Sequence, residues 1–85
     1  MKLFYAQEFK KCFKKLPPMI QRLYRKQEIH FRKNWRDSRL HTKRLVGHAS
    51  LFSFRVTREY RVLFVLIESD IVLLTTIGHR KDIYR

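Results

Sequence analysis

The 85 residues make one domain, residues 1–85, and at that length folding buries only about 60% of the chain's surface, so the core must be compact. Lys and Arg number 20 against 7 Asp and Glu, a net charge of +13 that points to a polyanionic partner. Hydrophobic residues at 45% with only two Gly and two Pro exclude a disordered basic tail, and the single cysteine, Cys12, excludes an intrachain disulfide or a Cys-rich zinc module.

The N-terminal stretch is broken by Gln7, Glu8 and paired lysines before an apolar run develops, which predicts no signal peptide and no membrane span. Together with the unpaired cysteine this predicts a cytoplasmic protein. Leu3 to Ala6 has the length of an edge strand. Phe9, Cys12, Phe13 and Leu16 then recur at i, i+3, i+4 and i+7, opposite Lys10, Lys11, Lys14 and Lys15, which predicts an amphipathic helix with Cys12 in the core. Leu16 precedes Pro17, so this helix should stop near Lys15, and Pro17 and Pro18 suit the first turn of a second. Its apolar face is Ile20, Leu23, Tyr24, Gln27 and Phe31, with Trp35 near its end, and the pair forms a helical hairpin.

Residues 36–50 show no sustained period and are expected to form a functional loop or a short hidden strand. Arg36, Arg39, His41, Lys43 and Arg44 fall here, able to hold a nucleic-acid backbone or to stand as a solvated loop. Residues 1–43 carry 13 Lys and Arg against 3 acids, so the first half is the electrostatic half. From Leu51 the pattern changes to three strands, LFSFRVT, YRVLFVLI and IVLLTTI, joined by short turns into an antiparallel meander. The expected fold is α+β, two N-terminal helices packed on one face of a small antiparallel sheet in the order β-α-α-β-β-β.

Register decides where the arginines point. A two-residue loop at Arg58-Glu59 would put Arg61 among Phe52, Phe54 and Val56, burying a charge between aromatics. A three-residue loop, Thr57 to Glu59, pairs Val56 with Tyr60 and gathers Phe52, Phe54, Val56, Tyr60, Val62 and Phe64 on one face. Arg55 and Arg61 then meet on the other, where Ser53, Leu63 and Val65 are also expected to show, a basic end beside an apolar end.

The last strand runs into IGHRKDIYR, which brings His79, Arg80, Lys81, Asp82 and Tyr84 to the strand end that holds Arg55 and Arg61. These side chains suit metal-free RNA cleavage. A base must take the 2′-hydroxyl proton, cations must stabilise the phosphorane, and an acid must protonate the leaving 5′-oxygen. His79 exchanges protons near neutral pH, Arg61 and Arg80 can hold phosphate oxygens bidentately, and Tyr84 can stack on a base. Alternatively the arginines are solvated or paired with Glu59, His79 is a capping group and Tyr84 frays. His30, His41 and His48 lack companion ligands at a metal-binding spacing, so neither a metal nor another cofactor is expected.

Across nearly its whole length the sequence resembles the RelE/ParE superfamily of bacterial and archaeal type II toxins. The resemblance rests on the helix Phe9 to Pro17, the Leu45 to Gly47 step, F-R-V-x-x-E-Y-R-V-L-F at Phe54 to Phe64, and I-G-H-R-x-x-I-Y at Ile77 to Tyr84. It implies a toxin that, in the mRNA interferase branch, cleaves mRNA in the ribosomal A site without a metal. By that resemblance Arg61, Arg80 and Tyr84 are catalytic, and His79 is the acid/base group. Arg55, Arg58 and Lys81 would hold RNA or the ribosome, helped by Arg39, Lys43 and Arg44. The implied partners are mRNA, the ribosome and a cognate antitoxin, with operator DNA left to the antitoxin. No carboxylate clearly matches a general base, since Glu59 lies in the turn and Asp82 in the tail. Members of the ParE branch inhibit DNA gyrase instead, so a non-catalytic gyrase inhibitor and an inert RNA-binding relative are the alternatives.

Overall fold

A computed structural model describes residues 1–84 of the chain. Strand β1 (Lys2–Tyr5) leads into helix α1 (Gln7–Lys14) and helix α2 (Pro18–Lys33), then strands β2 (Lys43–Arg44), β3 (Leu51–Arg55), β4 (Tyr60–Glu68) and β5 (Ile71–His79), and a last turn of helix, α3 (Arg80–Ile83). A 3-10 turn at Ser38–Leu40 precedes β2. The helix break sits where Leu16-Pro17 requires it. Pro17 and Pro18 bring no N–H to this helix end, and the Gln21 amide adds donors there, to the Leu16 carbonyl (3.2 Å) and to the Phe13 carbonyl (3.0 Å), which also accepts from the Leu16 N–H.

The sheet order is β1-β5-β4-β3-β2. The β3-β4-β5 meander is antiparallel, as the short turns demand, but β1 pairs parallel to β5, with Lys2 to Tyr5 opposite Ile71 to Leu74. The sheet is therefore mixed, because β1 returns to its partner only through the intervening helices and meander, the long connection that parallel pairing needs. The segment expected to be a loop or hidden strand holds β2, which pairs antiparallel with β3. The final hairpin turns on Ser69-Asp70, with Glu68 paired to Ile71.

Val56 accepts the three-residue register: Arg55 pairs with Arg61 and Phe54 with Val62. That register collects Phe52, Phe54, Val56, Val62 and Phe64 with Val72, Leu74 and Ile77 against the helices. Phe31 of α2 is the centre of this layer, with ring centroids 4.7 Å from Phe54 and 5.0 Å from Phe64, and Phe9 and Tyr24 extend it towards α1. Such offset and edge-on pairs add to the area buried. Cys12 is half-buried against this core, as expected of an apolar-face thiol.

The other face differs from expectation in one respect. Ser53 and Leu63 are buried, not displayed, because they lie on the two inner strands with larger neighbours in the adjoining rows. The row beyond them, Phe4, Leu73, Val65 and Leu51, runs in register across four strands and is partly exposed, Phe4 by half.

A polar clamp joins β1 to α2. The Glu28 carboxylate accepts hydrogen bonds from the hydroxyls of Tyr5 (2.7 Å) and Tyr24 and from the Arg32 guanidinium (3.2 Å). Burial alone would raise the Glu28 carboxyl, but the bonds from Tyr24, Tyr5 and Arg32 outweigh it and hold the group below its ordinary value of 4.5. Burial, followed by the neighbouring Glu28 carboxylate, raises the Tyr24 phenol well above its usual range.

The lowered Glu28 value means that its contribution to stability is complete above about pH 4.5 and is lost as pH falls through the folded-state value. Urea melts of wild type and Glu28→Gln from pH 7 to 3 should show a shallower acid slope in the variant, and identical slopes would count against the clamp. Phe54→Ala should cost about 3–5 kcal/mol in the same melts, the usual penalty for emptying an aromatic site in a packed core.

Candidate functional site

The β3–β4 turn builds one half of the site. The Val56 N–H donates to the Tyr60 carbonyl (2.9 Å), and the Thr57 hydroxyl oxygen accepts from the N–H groups of Glu59 and Tyr60, both at 3.1 Å. This side-chain turn holds Glu59 over the end of β5. Its carboxylate Oε2 stands 3.4 Å from both His79 Nε2 and Arg80 Nε, and the Arg80 N–H donates to the Glu59 carbonyl at 2.7 Å.

His79 has a second task. Its Nδ1 accepts from the Lys81 N–H (3.1 Å), capping α3, so the ring proton of the neutral imidazole sits on Nε2, facing Glu59. The ring also meets Tyr60 edge-on, with centroids 5.4 Å apart. Both a capping role and a proton-carrying position are therefore combined in one side chain.

The other half is the arginine pair. Arg55 and Arg61 face each other across β3 and β4, like charges directly opposite, which is unfavourable in isolation. The Nε of each is buried with no hydrogen-bond partner among the described residues, and so is the hydroxyl of Ser53 in the adjoining row. Arg61 makes one long bond, from Nη2 to the Arg58 carbonyl at 3.3 Å. On its β5 side it is paired with Gly78, where a Cβ would meet nothing within 4 Å, so the ground beside Arg61 is open. A cationic surface with unspent donors next to open space is a place where an anion is stabilising.

The two halves lie on opposite faces of the sheet. Tyr60 pairs with His79 and Arg61 with Gly78, and successive residues of a strand alternate in face, so Arg61 and His79 meet only around the sheet's end. Glu59, Arg61, His79 and Arg80 are thus gathered at one end of β4 and β5. Tyr84 follows α3 and is half-exposed, while Lys81 and Asp82 are exposed beside it. Arg58 is exposed in the turn.

The remaining basic residues are distributed differently. Arg39 is bound to Asp37, with Nη2 2.7 Å from Oδ2, and that guanidinium and its N–H hold the Asp37 carboxyl well below the usual carboxylate range. Gln27 donates to the carbonyls of Arg55 (2.8 Å) and Arg39 (3.1 Å), tying this segment to β3, and a cavity of about 320 Å³ lies between Arg39, His41, Arg55 and Arg58. Lys43 pairs with Ser53 on the arginine face, whereas Arg44 pairs with Phe52 on the helix side. Among the described residues no group of three or more His, Cys, Asp and Glu side chains is placed to hold a metal ion. No helix among the described residues is long and apolar enough to cross a membrane.

The Glu59–Arg80 pair is one of the two alternatives expected for the arginines, while the second contact of Glu59, with His79, was not expected. The double engagement of Glu59 follows from the Thr57 turn, and Thr-x-Glu before a strand was the available signal. The His79 cap was the bland alternative, and it proves compatible with the proton-bearing nitrogen facing Glu59.

No family model and no curated protein matches the sequence. Solved structures do. A chain of the RelB-RelE antitoxin-toxin complex from Methanococcus jannaschii superposes with a TM-score of 0.79 at 22% identity, covering 95% of this chain and 94% of that one. The YoeB/ParE toxin from Agrobacterium tumefaciens gives 0.78 at 14%, covering 94% and 99%. A chain of the intact E. coli RelBE toxin-antitoxin complex gives 0.73 at 17%, covering 92% and 94%. The chain has the fold of these toxins.

Thr57→Val should cost about 1–2 kcal/mol in denaturant melts, because it strips the acceptor from two N–H groups that the turn keeps from water. A loss within error of zero would mean that the turn is not what positions Glu59.

Proposed function

We propose that this chain is the toxin of a type II toxin–antitoxin pair and acts in the cytoplasm as a metal-independent endoribonuclease on mRNA in the ribosomal A site. The observation that carries the proposal is the Arg55–Arg61 pair, two arginines opposite one another in the β3–β4 register with buried, unpartnered Nε atoms beside open ground, at the sheet end that also carries the Glu59–His79–Arg80 cluster on its other face. The RelE-like fold and the net charge of +13 support it.

In this reading the scissile phosphate sits across the end of the sheet, its non-bridging oxygens held by Arg61 on one side and Arg80 on the other. The Glu59–Arg80 contact is half-exposed and worth only about 0–1 kcal/mol, so a phosphate displaces it easily. The freed Glu59 carboxylate accepts the 2′-hydroxyl proton. The 2′-oxygen attacks phosphorus and the bond to the 5′-oxygen breaks, while His79, as the imidazolium with Nδ1 protonated and released from the Lys81 N–H, gives its Nε2 proton to that oxygen, leaving a 2′,3′-cyclic phosphate, a neutral imidazole and a protonated Glu59. The guanidiniums act through the extra charge of the phosphorane, which they bind more tightly than the ground-state diester. Tyr84 stacks on or orients the substrate base, and Arg55, Arg58 and Lys81 hold the RNA with Arg39, Lys43 and Arg44 further out. Arg39 contributes least, since Asp37 already occupies it.

The relatives crystallised with RelB support a cognate antitoxin for this chain as well. One feature favours a second reading, a gyrase inhibitor that cuts nothing: the partly exposed apolar row Phe4-Leu73-Val65-Leu51, separated from the arginines on the same face by the row of Ser53 and Leu63, has the make-up of a protein-binding surface.

Purified protein added to a reconstituted translation reaction should produce new mRNA 3′ ends at A-site codons, mapped by primer extension. Arg61→Ala and Arg80→Ala, checked for an unchanged circular dichroism spectrum, should each slow cleavage about 10²–10³-fold. Intact mRNA at concentrations that still arrest growth would overturn the nuclease reading and favour gyrase.

A further inference from the structure

A second aromatic and cationic cluster lies away from the candidate site, at the C-terminal end of α2. Trp35 follows that helix, half-buried, with its ring centroid 5.2 Å from Phe52 of β3 in an edge-on contact. The Thr42 hydroxyl donates to the Trp35 carbonyl and draws the approach to β2 alongside. The Arg36 guanidinium lies 4.6 Å from the Trp35 ring centroid, and that of Arg44, on edge strand β2, lies 5.6 Å from the Phe52 ring. These five side chains line an open cavity of about 280 Å³.

Three properties of this cavity set its chemistry. No acidic residue lines it, and neither guanidinium has an ion-pair partner among the described residues, although Arg32 and Arg39 on the same part of the chain are both paired. The cations rest on ring faces, an attraction that leaves their N–H edges free to bind an anion. The volume falls short of the ~300–1,000 Å³ of drug-sized ligand sites, and an aromatic floor with planar guanidinium walls suits one flat ring. Carboxylates of an acidic protein surface would satisfy the guanidiniums but would leave the rings of Trp35 and Phe52 unused.

We propose that this cavity is a stacking site for one unpaired base of a single-stranded RNA, with the Arg36 guanidinium stacked on Trp35 as the platform, Arg44 as its wall, and the guanidinium edges on the flanking phosphates. It rests on the reading of the chain as an RNA-acting protein and extends it to a second contact. Phe52 lies three residues before Arg55 on β3, about 10 Å along the strand, and the cavity opens at the β2 edge. A strand of a few nucleotides passing around that edge reaches both places. The site is chemically inert and would fix which part of a flexible RNA is presented to the arginine pair.

Trp35 is the chain's only tryptophan, so its fluorescence reports this cavity and no other. The experiment titrates the protein with a 2′-O-methyl hexaribonucleotide, which cannot be cleaved, and follows Trp35 emission together with the anisotropy of a labelled copy. Saturable quenching that tracks anisotropy is expected. An abasic oligomer of equal charge should bind with little quenching. Arg36→Lys and Arg44→Lys keep the charge but lose the plane, and combined they should weaken hexamer binding about tenfold, the effect of losing one base stack. Binding without quenching, equal quenching by the abasic oligomer, or unchanged affinity in the double variant would each overturn the proposal. None of these readings depends on cleavage: cut mRNA without quenching removes this site alone, and quenching without cut mRNA removes the nuclease reading alone.

Discussion

The length of one turn governs the molecule. With three residues between Val56 and Tyr60, Val56 hydrogen-bonds to Tyr60 and every aromatic of β3 and β4 falls on the helix side. A change of one residue would reverse one strand against the other, sending Arg61 into the layer occupied by Phe31 and exposing Phe64. The core, the arginine pair and the position of Glu59 are therefore consequences of the same local geometry, which the Thr57 hydroxyl secures.

That geometry imposes an electrostatic cost. Two arginines stand opposite one another, their Nε atoms out of contact with water or acceptors, next to the buried hydroxyl of Ser53. A fold selected for stability alone would place an acid or an apolar pair there. Three of the seven acids are engaged elsewhere: Glu28 clamps β1 to α2, Asp37 holds Arg39, and Glu59 faces His79 and Arg80 from the far side of the turn. The arginine face is left uncompensated while neighbouring cations are neutralised, and strain concentrated in this way marks a surface built to receive charge.

Most of this could be read from residue order, because it depends on local patterns. Period 3.6 located α1 and α2, Leu16-Pro17 located the break, and the cost of burying Arg61 chose the register. The parts that escaped depend on distant pairing. Nothing near Leu3 announces that β1 lies parallel to β5, and a two-residue strand such as Lys43–Arg44 carries no period of its own. At the candidate site the side-chain types were visible, but alternation then divides Arg61 from His79 between two faces, which requires knowing that Tyr60, and not Arg61, is paired with His79. The burial of Ser53 escaped for the opposite reason: a small polar residue reads as surface until its larger neighbours are in place.

The parallel edge has a consequence for how the chain folds. Residues 51–79 form their hairpins from near neighbours, on a time scale of about 1–10 μs per hairpin, and α2 docks on them through Phe31. β1 must find residues 71–74 across almost the whole sequence, a contact whose loop closure is slow and comes after the local ones. Until it arrives, half of β5 is a bare edge of apolar residues, open to the strand of another molecule. Docking of β1, locked by Tyr5 on Glu28, is thus the step that covers this edge of β5 with a four-residue strand, and the concentration of newly made chains decides whether it or another molecule arrives first.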